Sequence, residues 1–120
     1  MPAVVKRAGA RPPASRQPAS GARTRASAVR FLGSELEAIA PAAARFHVLP
    51  VPYEKTVSYG HGTARGPAAI LAASDQLERW DGASDPGAEG IYTWPAIDCR
   101  GRPEKVISTI AAAVARILRL

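Results

Sequence analysis

Residues 46–53, Phe-His-Val-Leu-Pro-Val-Pro-Tyr, form an apolar run of strand length. A run apolar on both faces suits a strand buried between the layers of a parallel sheet. A second run, Gly-Ile-Tyr-Thr-Trp-Pro-Ala-Ile-Asp-Cys, covers residues 90–99. Each is followed by a helix signal. After the first, Pro67 stands where a helix tolerates a residue without an N–H. Ile70, Ser74, Leu77 and Asp81 then fall on one stripe with Leu71 beside it, predicting a helix that buries Ile70 and Leu77 and ends near Asp81-Gly82. After the second, Gly101 and Pro103 open a helix on which Val106, Ile107, Ile110, Val114, Ile117 and Leu118 share a face. Strand, helix, strand, helix is the order of βαβ units in a parallel α/β sheet. Pro50 and Pro52 cannot donate to a ladder and belong near the C-terminal end of the first strand or where pairing stops. Upstream, Ser34 and Glu37 have the spacing of a capping box. They predict a short helix that stops before Pro41, anchored by Phe31, Leu32, Leu36 and Ile39.

This much structure does not make a closed domain. Two strands and two or three helices leave the apolar face of residues 106–118 with little to cover it, and a two-stranded parallel sheet is not a stable unit. The chain therefore reads as the incomplete, N-terminal part of a larger α/β domain, truncated at residue 120. Alone, it is expected to be molten or aggregation-prone.

Charge divides the chain. Of the 16 basic residues, Lys6, Arg7, Arg11, Arg16, Arg23, Arg25 and Arg30 fall within the first thirty positions, and none of the 10 acidic residues does. The whole formal excess of +6 thus belongs to that segment. The segment is rich in Ala, Ser, Gly and Pro and offers only Val4, Val5 and Val29 as bulky aliphatics, too little apolar surface to offset its ordering entropy. Residues 1–29 are expected to be a disordered basic tail, with residues 30–120 forming the α/β part. Three roles for the tail stand side by side: an arm for phosphate backbones or an acidic partner, a transit peptide, or a plain extension. Pro2, Pro12, Pro13 and Pro18 weigh against the amphipathic helix of a transit peptide. No aromatics interleave with its charges, so bases have no stacking platform and nucleic acid is not expected as a partner. No apolar stretch nears the ~18 residues of a membrane span, so no membrane is expected either.

Chemistry-bearing residues are sparse. His47 lies in the first strand and is expected to be packed or hydrogen-bonded. His61 lies among glycines just past the strand's C-terminal end, the edge at which open α/β folds bind ligands. The two have no metal-ligand spacing. Asp75, Asp81, Asp85 and Asp98 are scattered, with no Asp-x-Asp pair, and Cys99, the single cysteine, reads as a small buried hydrophobe. Gly-His-Gly-Thr-Ala-Arg-Gly-Pro lacks the spacing of a nucleotide loop; its glycines serve backbone geometry. No catalytic triad or acid/base pair is visible.

One ordered set of motifs says more. Val51-Pro52-Tyr53-Glu54 closes the first strand, Gly62-Thr63 with Gly66-Pro67 leads into the helix, and Ala73-Ser74 lies toward its end. Arg30-Phe31-Leu32-Gly33 precedes them and Ile91-Tyr92-Thr93-Trp94-Pro95-Ala96-Ile97-Asp98 follows. In this order the stretch from about residue 30 to 120 resembles the N-terminal portion of the ureohydrolase (arginase/agmatinase) family, agmatinase branch. The resemblance implies a three-layer α/β/α fold around a parallel sheet, here incomplete. It further implies a bridged pair of manganese ions as cofactor for attack of water on a guanidinium carbon, converting agmatine to putrescine and urea in polyamine biosynthesis. The family's ligands come from Gly-Gly-Asp/Glu-His, Asp-Ala-His-x-Asp and Asp-x-Asp segments, and no position of this sequence matches them. No metal ligand or catalytic residue is therefore assigned, no cofactor is expected in this chain, and it is expected to be inactive alone. By analogy Tyr59 and His61 border the substrate entrance, while Pro52, Tyr53, Glu54, Gly62, Thr63, Gly66 and Pro67 are structural. The resemblance also implies a guanidino substrate, a homo-oligomer and a cytoplasmic location for the intact enzyme. The alternative reading is a small α/β binding module that uses its basic arm.

Overall fold

The computed structural model describes residues 29–120; the expected basic tail, apart from Val29, lies outside the described residues. The two apolar runs pair as expected. Strand β1 (Phe46–Val48) and strand β2 (Ile91–Thr93) lie parallel, with Phe46 opposite Ile91, His47 opposite Tyr92 and Val48 opposite Thr93. Pairing continues past both strands: the Trp94 N–H donates to the Val48 carbonyl and the Ile97 N–H to the Pro50 carbonyl. Pro50 thus stays in the ladder through its carbonyl and needs no donor, so pairing stops beyond it rather than before it. At the other end the Arg45 and Phe46 N–H groups both reach the Gly90 carbonyl. Gly90 has a φ of 87°, and a Cβ there would lie 2.5 Å from Ile39 Cδ1, so only glycine fits where the chain turns into β2.

Between the strands lies helix α1 (Gly66–Ala73), and after β2 lies helix α2 (Pro103–Ile117), each with proline in its first two positions as expected. Helix α1 is shorter than the sequence predicts. It gives way to a 3-10 turn at Ser74–Gln76, and Leu77 is already extended. The Ser74 hydroxyl donates to the Leu71 carbonyl, holding the chain in a tighter turn at the point where the helix would continue. The expected buried pair is also corrected: Ile70 and Leu77 are more than half exposed, whereas Leu71 and Ser74 face inward. In a helix of Gly-Pro-Ala-Ala-Ile-Leu-Ala-Ala almost every position is apolar, so spacing could not tell which side was inner.

The predicted helix at Ser34 does not form. Residues 31–35 turn tightly, Leu32 takes a left-handed backbone with φ of 50°, and only a 3-10 turn at Pro41–Ala43 follows. Three backbone donors of this segment are instead claimed by distant side chains. Phe31 N–H donates to Thr93 Oγ1 (3.0 Å), Leu32 N–H to Ser74 Oγ (2.8 Å) and Ser34 N–H to Asp75 Oδ1 (3.2 Å). The segment is thereby stitched to α1 and β2, and Leu32 is driven to 5% exposure.

The core is small: Leu32, Leu71 and Val106, with Ser74 among them. Helix α2 meets the strand face that carries His47, Tyr92 and Trp94 through Arg116, whose guanidinium carbon lies 4.7 Å from the centre of the Trp94 ring. Its inner row is Val106, Ile110, Ala113 and Ile117, the least exposed residues of the helix. Ile107, Ala111, Val114 and Leu118 form a second row that is exposed, so the apolar face read from the sequence is only half covered. The opposite strand face leaves Phe46, Val48 and Ile91 lining an open apolar cleft with Phe31 and Pro86. A two-stranded parallel sheet with helices and open faces is what an incomplete α/β domain looks like.

Candidate functional site at the strand C-terminal edge

Both strands point their C-terminal ends the same way, and the loops that leave them meet there. Residues 52–55 from the β1 side and 97–100 from the β2 side line one open cleft; residues 54, 55 and 57–61 line a second beside it.

Glu54 organises this edge. Its Oε2 accepts the N–H of Gly62 (2.9 Å) and of Ala64 (3.0 Å), closing the loop back on the strand end. Those two bonds, Ala64's first, hold the carboxyl below its ordinary value against the opposing effect of desolvation, with weaker help from His61 and Arg65. Gly62 makes the closure possible. Its φ is 117°, and a Cβ would sit 2.7 Å from the Arg65 guanidinium. Thr63–Arg65 forms a 3-10 turn that runs straight into α1, with Gly66 and Pro67 as the helix's opening residues. Pro52 and Tyr53 make the turn before Glu54, the Tyr53 N–H donating to the Val51 carbonyl. The Tyr53 hydroxyl is buried without a hydrogen-bond partner among the described residues.

Tyr59 and His61 lie on the loop that Glu54 closes. Tyr59 is almost fully exposed and His61 is exposed, both bordering the second cleft. The other histidine is removed from this edge: His47 Nδ1 accepts the Trp94 Nε1–H at 3.1 Å, the hydrogen-bonded role expected for it.

Four residues that the sequence did not single out as a group, Lys55, Asp98, Cys99 and Arg100, complete the first cleft. Asp98 is bracketed by Arg100, whose Nε and NH2 donate to its two oxygens at 2.8 and 2.7 Å. That contact, with the Arg100 N–H, pushes the Asp98 carboxyl far below the usual carboxylate range. Cys99 is half-buried rather than buried, its thiol raised by desolvation and by the Asp98 charge. Lys55 Nζ reaches across to the Gly101 carbonyl and ties the two loops together. The one signal for this group was position, directly after a strand in a parallel sheet.

The donors present do not fit a pair of metal ions. His47 Nδ1 is occupied by Trp94, Glu54 by two backbone amides and Asp98 by Arg100. Among the described residues no three His, Cys, Asp or Glu side chains converge on a common point. Among the same residues, no helix is long and apolar enough to cross a membrane.

Comparison with known proteins agrees with the motif order. N(1)-aminopropylagmatine ureohydrolase of Synechocystis sp. (strain ATCC 27184 / PCC 6803 / Kazusa) is 48% identical over 60 residues, a match covering 47% of this chain and 20% of that protein. The matched portion is thus about a fifth of the relative's length. No solved structure matches significantly. The model of the Arginase family matches residues 44–120, more than half of the chain and the whole span from β1 through α2. The chain belongs to the arginase family.

Proposed function

We propose that this chain supplies the substrate-entrance segment of a ureohydrolase of polyamine metabolism. The reaction would add water to a linear guanidine and release urea and an amine. Agmatine, giving putrescine, is the substrate we favour, and the aminopropyl-extended agmatine in the relative's name is the competing one. The observation that carries the reading is the closed loop: Val51-Pro52-Tyr53-Glu54 and Gly62-Thr63 are one device, because the Glu54 carboxylate binds the amides of Gly62 and Ala64. The sequence motifs thus coincide with a shaped loop at the edge where parallel α/β folds take their ligands.

Within this reading the segment's own residues bind and shape; they do not carry the metal chemistry. Glu54 fixes the loop, and Tyr59 and His61, exposed on it, face whatever approaches the strand ends. Manganese, a homo-oligomeric assembly and a cytoplasmic location follow from the same reading. The 120-residue chain alone is then inactive.

A chimera tests this. Residues 44–120 replace the matching segment of the Synechocystis relative, and urea release is followed with manganese and either guanidine. The reading expects a folded chimera that releases urea; a folded chimera with no turnover of either compound refutes it. Manganese-dependent urea release by the purified 120-residue chain would overturn the expected inactivity.

A further inference from the structure

We propose that His47, Trp94 and Arg116 form a proton-sensitive latch that fastens the C-terminal half of α2 to the strand pair and opens in mild acid. Three elements meet at this point. Trp94, just past β2, donates its Nε1–H to His47 Nδ1 on β1 at 3.1 Å. The other face of the matter is α2, whose Arg116 guanidinium carbon lies 4.7 Å from the centre of the Trp94 ring. Tyr92 packs edge-on to Trp94 at 5.0 Å between centroids and 6.4 Å from the His47 ring, closing the cluster from β2.

The hydrogen bond fixes the protonation state of His47. An imidazole that accepts at Nδ1 must be neutral and carry its proton on Nε2. The imidazolium has two donors and no acceptor, so protonation turns Nδ1 into an N–H facing the indole N–H. The bond is then lost, and a second cation enters a cluster whose aromatic face already holds the Arg116 guanidinium. The remaining charged groups nearby do not offset this. On the β1 side Arg45 is paired with Glu89 at 2.6 Å, and β2 places the Tyr92 ring opposite His47. Among the described residues, no carboxylate forms an ion pair with His47.

The consequence reaches α2 because Trp94 is the surface on which Arg116 rests. Val106 anchors the first turns of the helix at 2% exposure, but toward the C-terminus the inner row is Ala113 and Ile117, both only half-buried. The Arg116–Trp94 stack therefore adds to what holds that end down. Acid releases the indole, and the helix end is expected to loosen while its start stays docked.

The test uses the full chain and two readouts; the latch requires that chain to show a cooperative thermal transition at pH 7.5 rather than stay molten, and a chain without one overturns the proposal. In a Trp80→Phe background Trp94 is the sole tryptophan, and its emission is followed from pH 7.5 to 5.0, the interval in which histidines titrate. Amide hydrogen exchange across α2 is measured over the same interval, corrected for the intrinsic pH dependence of exchange. The latch expects a single emission transition, together with a tenfold or greater loss of protection over residues 112–118 and little change over 106–109. His47→Asn keeps an acceptor near the Nδ1 position and does not titrate, so both changes should vanish. Trp94→Phe keeps a ring but removes the donor, and protection of residues 112–118 should be low and pH-independent; this variant stands in if His47→Asn does not fold. His61→Gln, the control at the other histidine, should leave the transition intact. A transition that survives His47→Asn, one that disappears with His61→Gln, or α2 protection that does not change with pH in the parent chain would each overturn the proposal.

Discussion

Replacing Ser74 with alanine removes a hydroxyl that joins two parts of the chain 42 residues apart. Ser74 is 2% exposed, and its Oγ accepts the Leu32 N–H at 2.8 Å while donating to the Leu71 carbonyl at 2.7 Å. Alanine leaves the Leu32 N–H buried with no acceptor, at a cost of about 1–3 kcal/mol. The alternative open to the chain is to undock residues 30–36. That exposes the Leu32 side chain, now 5% exposed, and forfeits about 1.5–3 kcal/mol of burial. Either route lands near 2 kcal/mol, and the second adds a visible sign, faster tryptic cleavage after Arg30. Urea unfolding of Ser74→Ala against the parent, with a digestion time course, reads both. If the docked segment is the common element, Leu32→Ala combined with Ser74→Ala will cost clearly less than the two separate losses added together. A Ser74→Ala chain within about 0.5 kcal/mol of the parent, the range of an ordinary surface substitution, would refute the argument.

Glu54→Gln is expected to raise amide exchange at Gly62 and Ala64 while leaving α2 unchanged, since only the loop closure depends on that carboxylate. The pH dependence has a defined sign. Because the folded Glu54 carboxyl lies below its ordinary value of 4.5, its stabilisation is fully present above that value and is lost as pH falls through the lower folded one. Protection of Gly62 and Ala64 should follow the same course, and an acid-independent loop would contradict it. Gly90→Ala combines a left-handed φ of 87° with a Cβ 2.5 Å from Ile39 Cδ1, and should destabilise by about 1–3 kcal/mol in urea titration. Val106→Ala removes two buried methyl groups and should cost about 2 kcal/mol, whereas Ile107→Ala, at a residue 65% exposed, should change stability by less than about 0.5 kcal/mol. Equal losses at the two sites would mean that the covered row of α2 has been misassigned.

The order β1, α1, β2, α2 was legible because each element is bounded by local chemistry. Pro50 and Pro52 close the first run, Pro67 and Pro103 open the helices, and Gly90 sets off β2. What was not legible depends on partners far away in sequence. The Ser34–Glu37 spacing reads as a helix start until Ser34 N–H is spoken for by Asp75 and Leu32 N–H by Ser74. The end of α1 was hidden because Ser74 looked like one more position on a stripe, while its hydroxyl is committed to Leu71 and Leu32. At the candidate site, Glu54 and Gly62 stood out as motif residues, but the bond between them did not. The meeting of Lys55 with residues 98–101 needed the fold, because it joins loops that follow two different strands.

The parallel pairing of β1 and β2 also sets a timetable. Phe46 meets Ile91 at a sequence separation of 45, and the clasp between Phe31 and Thr93 spans 62. Closing a loop of that length costs about 3 kcal/mol of chain entropy before the first ladder bond repays any of it. Among the described residues β1 pairs with β2 alone, so during synthesis the apolar run from Phe46 to Tyr53 waits for that partner until β2 has left the ribosome. Helix α1, eight residues whose bonds are local, can form in that interval and shorten the stretch left to search. Mutations that weaken α1 should therefore slow folding out of proportion to their effect on final stability, and those in α2 should not.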